Sequence, residues 1–429
     1  MIFKRLKELT DEELSKLIIR DVGVEEIISQ VNEIVEEVRQ YGDDALKMYT
    51  KKFDGVEVDT LQVSEDEMEK AYQDLSTELL EAMHESFRNI LSFHEEQLDK
   101  DIWWTETAPG VWVGRKIVPL DSVGAYVPGG QARYPTSALM TVIPASVAGV
   151  PRIVVCTPPK SDGHVDSATL VAADISGADE IYKVGGAQAI AAMAFGTESI
   201  EGVDKIVGPG NVYVTAAKQL VRGIAEIDMP AGPSEVLIIA DGTASAKIIA
   251  ADMLSQSEHD PNARSLLVSL DEELAKAVVS ETEIQAESAQ RKDIILKSLD
   301  NSAVLIADSL EEAIDFSNTF APEHLELIVK DSFTALNYVQ HAGSIFIGEY
   351  TPVAAGDYAS GTNHVLPTSG YARVFSGLSV DHFVKKITLQ RITKDGLKNL
   401  EGTITTLAEA EGLSCHADSV RMRLEGEKE

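Results

Sequence analysis

The chain has 429 residues, enough for two or three domains rather than one small core. Apolar residues make up 44% and charged residues 25%, the balance of a folded globular chain rather than a disordered one. Against 37 Lys and Arg stand 70 Asp and Glu, and the net charge of −33 argues against nucleic-acid phosphates or anionic membranes as partners. Only Cys156 and Cys415 are present, with no C-x-x-C pair, so a disulfide framework and a thiolate zinc site are both excluded. The first residues, MIFKRLKELTDEELSKL, lack the apolar core of a secretory signal, and no uninterrupted run of eighteen apolar residues occurs. The chain reads as cytoplasmic.

Residues 1–21 read as a helical arm. From Glu25 to Met48 and from Ser64 to Leu98, apolar residues recur at three- and four-residue spacing among many acids, which predicts amphipathic helices up to Trp103 and Trp104. Short apolar runs then alternate with Ala-rich helical stretches: Val123–Val127, Ser137–Ala148, Ile153–Cys156, Ser167–Ile175, Ile181–Val184 and Ile206–Val207. Further strands are predicted at Val236–Ala240, Leu266–Leu270, Ala303–Ala307, Leu325–Val329 and Ser344–Ile347. Strands alternating with helices in this way predict βαβ units and mostly parallel sheets.

The fold class is therefore α/β. One domain spans 105–233. Another is assembled from 234–378, with the helices of 22–104 expected to pack on it. After Asp381 the strand signal fades; 379–429 read as a tail, helical over 393–423. Gly129-Gly130 and Gly232-Pro233 are the candidate hinges.

Several places could carry chemistry. Ala246, Ile249, Ala250, Met253 and Leu254 mark a buried helical face, which Gln256 and then His259 continue at three-residue steps. An amide oxygen and an imidazole so spaced can share a metal, or they can simply cap a helix end. Ala321-Pro322-Glu323-His324 places a carboxylate beside an imidazole at a turn, the usual residue types of an acid–base pair or a solvated Glu next to a structural His. The Gly-rich segment 342–377 carries Asp357 and His364, suggesting a loop shaped around a ligand. Asp357 suits a divalent metal, but Asp is also common in such turns for local backbone reasons.

Leu397, Leu400, Ile404 and Leu407 form one helical stripe, and its next position is Glu411, just before Gly412. That carboxylate is either at a frayed end or placed to meet a cation, and the stripe needs a partner surface, another subunit being a fair candidate. No P-loop is present, and Gly208-Pro-Gly210 departs from the dinucleotide fingerprint at Tyr213. Gly185-Gly186-Ala-Gln188 and Gly208-Pro-Gly210-Asn211 each follow a predicted strand, so they are either ligand loops at the carboxyl edge of a sheet or ordinary strand–helix turns.

Taken together, Val123-Gly-Ala-Tyr126-Val-Pro-Gly-Gly130, Gly185-Gly-Ala-Gln188-Ala-Ile, Val207-Gly-Pro-Gly-Asn211, Ala231-Gly-Pro-Ser234-Glu-Val, Ser255-Gln256-Ser-Glu-His259, Ala321-Pro-Glu323-His324 and Ser360-Gly-Thr-Asn-His364-Val-Leu-Pro closely resemble histidinol dehydrogenases, in order from about residue 20 to the end. The resemblance implies two Rossmann-like domains with small terminal segments, in a homodimer whose tails complete each other's active sites. It implies oxidation of L-histidinol to L-histidine in histidine biosynthesis, through a bound aldehyde, with two NAD reduced in succession. One zinc per subunit would be held by Gln256, His259, Asp357 and His416, a thiolate-free set suited to a site that also takes substrate. Glu323 and His324 resemble the catalytic pair. Ser234, His364 and Glu411 resemble further substrate-holding positions, beside the zinc ligands and His324. Tyr126, Gln188 and Asn211 resemble NAD contacts. A paralogue oxidising another small polar alcohol is the nearest alternative, and a non-catalytic two-domain ligand-binding protein the more distant one. Cys415, beside a proposed ligand, is expected to be a small buried residue.

Overall fold

The computed structural model describes residues 1–20, 23–129 and 134–425; the expected boundary at 21/22 and Gly130 of the first glycine joint lie outside them. The chain divides into two compact units, one of Met1–Gln97 with Leu120–Phe383, the other of Leu98–Pro119 with Val384–Glu429.

The larger unit holds two parallel sheets. In spatial order the six-stranded sheet runs Ile2–Arg5, Ala303–Ile306, Arg264–Ser269, Glu235–Ala240, His324–Ile328 and Ser344–Ile347. The five-stranded sheet runs Glu180–Lys183, Ile153–Thr157, Val123–Tyr126, Lys205–Val207 and Glu226–Ile227. Counted along the chain from Glu235 and from Val123, both follow the order 3-2-1-4-5, the half-Rossmann arrangement, with a switch point between strands 1 and 4. Helices cover both faces, so Val236–Ala240 and Ile153–Thr157 are buried throughout. That is why these strands read as unbroken apolar runs instead of alternating ones.

Three features differ from the sequence reading. The helical arm begins with a strand, Ile2–Arg5, which extends the edge of the six-stranded sheet by parallel pairing with Ala303–Ile306. Four residues of mixed polarity carry too little pattern to announce an edge strand. The helices Val24–Phe53, Glu65–Asp74 and Thr77–Glu95 pack on the five-stranded sheet, not on the six-stranded one. Val31, Val35, Val38 and Leu46 meet Ala187, Ile190, Ala191 and Ala217 in one core, while Met83 and Ile90 meet Leu139, Met140 and Ile143 in another. Periodicity identifies the buried face of a helix but not which sheet it faces, and here Ala-rich layers admit the long helix closely.

The third difference concerns 102–119 and 384–392. Ile102–Ala108, Val111–Pro119 and Val384–Ile392 form a three-stranded antiparallel sheet in the smaller unit. The last of these, Val-Lys-Lys-Ile-Thr-Leu-Gln-Arg-Ile, is largely exposed and finds its partner more than 250 residues away in sequence, so no local hydrophobic run marks it. Two helices complete that unit, Lys394–Ala410 and Ser414–Leu424, joined through Gly412 in the left-handed region (φ +75°) where the tail was expected to turn. Cys415 is exposed, not buried, because it lies on the outer side of a surface helix; Cys156 is buried. Among the described residues no helix is long and apolar enough to cross a membrane.

Candidate active site

The site is built around the amino end of the strand His324–Ile328. Helix Leu310–Phe320 stops at Ala321, which takes φ +53°, and Pro322 turns the chain directly into the strand. His324 is in register with Val236 on one side and Ser344 on the other. Gly343 approaches the turn so closely that a Cβ there would lie 2.6 Å from the carbonyl oxygen of Glu323.

Glu323 and His324 are both buried, and both are held by the main chain of Glu235. The Glu235 N–H donates to Oε2 of Glu323 at 2.8 Å, and its carbonyl faces Nδ1 of His324 at 3.0 Å. A carbonyl can only accept, so Nδ1 carries the proton and Nε2 presents a lone pair. That Nε2 is buried with no hydrogen-bond partner among the described residues. Burial lowers the His324 pKa to about 3, helped by the nearby rings of His259 and His364. Burial pushes the Glu323 carboxyl well above the usual carboxylate range, against the Glu235 N–H bond. The result is a neutral imidazole beside a carboxyl that holds its proton more tightly than usual.

Helix Ala246–Ser257 supplies Gln256, buried with Nε2 unpartnered, and His259 follows one turn later. The His259 ring reaches solvent, yet enough protein crowds it to lower its pKa, with Arg291 adding to the effect. Asp357 lies on the short helix Val353–Tyr358, where burial raises its pKa to about 7. His364 donates from Nδ1 to the Asp357 carbonyl at 3.1 Å. This segment is fastened to helix Thr77–Glu95: Ser86 and Asn89 donate to the carbonyls of Tyr358 and Ala359, and Asn363 bonds both His94 and the Met140 carbonyl. Ser234 is half-buried immediately before Glu235. The fold thus brings His259 and His364 within electrostatic reach of His324 and of each other, and Asp357 within reach of Glu323. Among the described residues no group of three or more His, Cys, Asp or Glu is arranged to hold a metal. His416 and Glu411 belong to the smaller unit, where both are exposed.

Tyr126, Gln188 and Asn211 lie at the carboxyl edge of the five-stranded sheet, where open α/β folds bind ligands. The Tyr126 hydroxyl accepts from Gly186 N–H at 3.1 Å, and burial pushes its pKa up to about 12. Gly186 has φ +64°, and a Cβ there would sit 2.8 Å from Oε1 of Gln188, which is buried and unpartnered. Asn211 caps helix Val212–Val221, its Oδ1 accepting from the N–H groups of Tyr213 and Val214. Sequence reasoning missed the buried pair Lys218–Asp228, which clasps Gly208 from both sides: Lys218 donates to its carbonyl at 3.0 Å, and Asp228 accepts its N–H at 2.8 Å. It also missed Glu235. The available signal for Lys218 and Glu235 was a charge inside an otherwise apolar element.

The sequence profile of the histidinol dehydrogenase family matches residues 19–424. The chain is 56% identical over 423 residues to a histidinol dehydrogenase of Methanosarcina barkeri, covering 99% of this chain and 98% of that protein. It is 51% identical over 433 residues to one from Bacillus cereus, with full coverage of both. The crystal structure of histidinol dehydrogenase from Elizabethkingia anophelis superposes with a TM-score of 0.95 at 43% identity, covering 99% of this chain and 98% of that one. With sequence and fold agreeing over nearly its whole length, the chain belongs to the histidinol dehydrogenase family of oxidoreductases.

Proposed function

We propose that this protein oxidises L-histidinol to L-histidine in histidine biosynthesis, in two successive hydride transfers through bound L-histidinaldehyde. The observation that carries the reading is the lone pair on Nε2 of His324, buried without a partner while Nδ1 is pinned to Glu235. A neutral imidazole fixed in this tautomer leaves Nε2 free to accept the hydroxyl proton as hydride leaves the alcohol carbon. Glu323, once ionised, is made more basic by burial and suits removal of a proton from the water that adds to the aldehyde. As that water adds, His324 returns its proton to the former carbonyl oxygen, which leaves Nε2 free to accept a hydroxyl proton of the hydrate as the second hydride leaves.

Zinc fits the residues present. Gln256 has a buried amide with an orphaned atom, and its O and N can exchange by a flip; Asp357 has a carboxyl whose pKa burial raises with no cation opposing it. Gln256, His259 and Asp357, with His416 from a second copy, would hold one zinc per subunit. When bound, zinc would supply orientation of the substrate's imidazole and amine, and two NAD in succession would supply the acceptor for one hydride each. Tyr126, Gln188 and Asn211 would contact NAD; the orphaned Gln188 Oε1 and the Cβ-free approach at Gly186 support that placement. Ser234 and His364 would hold substrate beside His324. Glu411 suits its cationic amine.

A homodimer with shared sites is supported by the tail's uncovered apolar surface. Leu407 is 60% exposed and Met422 71% exposed on helices short enough to need a partner. The protein is expected in the cytoplasm. The deciding test is NADH formed per L-histidinol consumed, before and after chelation and zinc restoration. Two NADH, lost with metal and regained with zinc, support the four-electron reaction; one NADH indicates a paralogue that stops at the carbonyl.

A further inference from the structure

Glu235 touches both members of the acid–base pair through its main chain, so whatever fixes its backbone fixes them. Its side chain opens an otherwise apolar strand and is 2% exposed. Arg20 donates from Nη1 to Oε2 of Glu235 at 2.9 Å, and the N–H of Ser369, itself at φ +54°, donates to Oε1 at 3.1 Å. Arg20 also donates from Nη2 to the Phe320 carbonyl at 2.5 Å and stacks its guanidinium 3.9 Å over the Phe320 ring. Phe320 ends the helix from which the Ala321-Pro322 turn delivers Glu323 and His324. One guanidinium therefore grips the strand start on one side of the pair and the turn on the other. Only Arg has the planar fork to do both while stacking on a ring.

We infer that the buried Arg20–Glu235 ion pair is a positioning element for Glu323 and His324, setting the His324 tautomer and the Glu323 orientation through the Glu235 main chain. The inference rests on the acid–base reading proposed above. A charge pair this deep is poor evidence of stabilisation by itself, since removing two charges from water offsets their attraction. Its two-sided grip on the turn and strand that carry the acid–base pair gives it a different use.

The test compares wild type, Arg20→Lys and Glu235→Gln as full-length, zinc-loaded enzymes. Arg20→Lys keeps the charge but loses the fork and the stacking. Glu235→Gln keeps an acceptor for Ser369 but not the charge facing Arg20. With folding and zinc content confirmed, kcat is expected to fall about ten- to a hundredfold with KM for L-histidinol nearly unchanged, as for a small misplacement of reacting groups. In protein labelled with 15N-histidine, His324, identified by its loss in His324→Ala, should change from a pure Nδ1–H tautomer to a mixture. Purely structural damage would lower stability without moving either readout. Should Glu235→Gln not fold, Arg20→Lys carries the test. Wild-type kcat and an unchanged tautomer in the folded variants overturn the positioning role. A fully active His324→Ala enzyme would instead overturn the acid–base reading, and the positioning role with it.

Discussion

The carbonyl oxygen of Glu235 lies 3.0 Å from Nδ1 of His324, and this contact decides which ring nitrogen is free to react. His324→Ala removes the imidazole proposed as the base. It should lower the rate of the first hydride transfer by about 10²–10⁴-fold while leaving circular dichroism and zinc content unchanged. Stopped-flow NADH absorbance checks this, and wild-type turnover would sink the assigned role.

Gly343→Ala probes the same turn by sterics alone. A Cβ at 343 would stand 2.6 Å from the Glu323 carbonyl, with Leu366 on the other side, so backbone has to move. Destabilisation of about 1–3 kcal/mol is expected, together with reduced kcat. Urea denaturation and steady-state kinetics measure the two effects. An alanine variant as stable and active as the parent would show that the turn is less tightly held than its geometry indicates.

His324 also makes stability depend on pH. Its folded pKa of about 3 is depressed from 6.5, so the folded state binds fewer protons between those values. Its contribution is fully present above pH 6.5 and is lost as pH falls toward 3, by at most about 5 kcal/mol. Glu323, shifted upward by burial, works in the opposite sense and loses stability as pH rises. Metal-free His324→Gln should therefore lose less stability than metal-free wild type between pH 7 and pH 4. Equal slopes in the two proteins would rule out His324 as the source.

Metal binding should appear as stability because Gln256 and His259, at the end of helix Ala246–Ser257, and Asp357, on helix Val353–Tyr358, are distant in the chain, so a site joining them exists only in the folded state. Zinc at a hundredfold excess over its dissociation constant should add about 3 kcal/mol to the unfolding free energy of the metal-free protein. Asp357→Asn should show much less of that gain. Thermal unfolding with and without zinc compares them, and an equal gain in the variant would remove Asp357 from the ligand set.

Mixing inactive His324→Ala chains with inactive His416→Ala chains tests whether sites are shared. Random exchange would leave about one site in four with both residues intact, and recovery near that fraction is expected. No recovery after demonstrated subunit exchange would place His416 and His324 of the same chain in one site, or His416 outside it.

Much of this was legible in the sequence because both sheets are parallel and doubly covered. Val236–Ala240 and Ile153–Cys156 announced themselves as strands by continuous apolar character, and Gly412 ended its helix because a left-handed residue was required there. Glu323 and His324, which the fold holds together on the main chain of Glu235, were likewise visible as residue types side by side. What tertiary structure alone decided were relationships between distant segments. Helix Val24–Phe53 has one apolar face that would suit either sheet, and only three-dimensional packing assigns it to the Ala-rich layer of the five-stranded one. Strand Val384–Ile392 takes its hydrogen bonds from Val111–Pro119, so its identity lies in a pairing that no local pattern records. Glu235 is the sharpest case. Its side chain reads as one acid among 70 Asp and Glu, while its main-chain N–H and C=O meet Glu323 and His324 through bonds spanning 88 and 89 residues. Sequence encodes periodicity and chemical type directly, but the orientation of a peptide is set only when the strands beside it have formed.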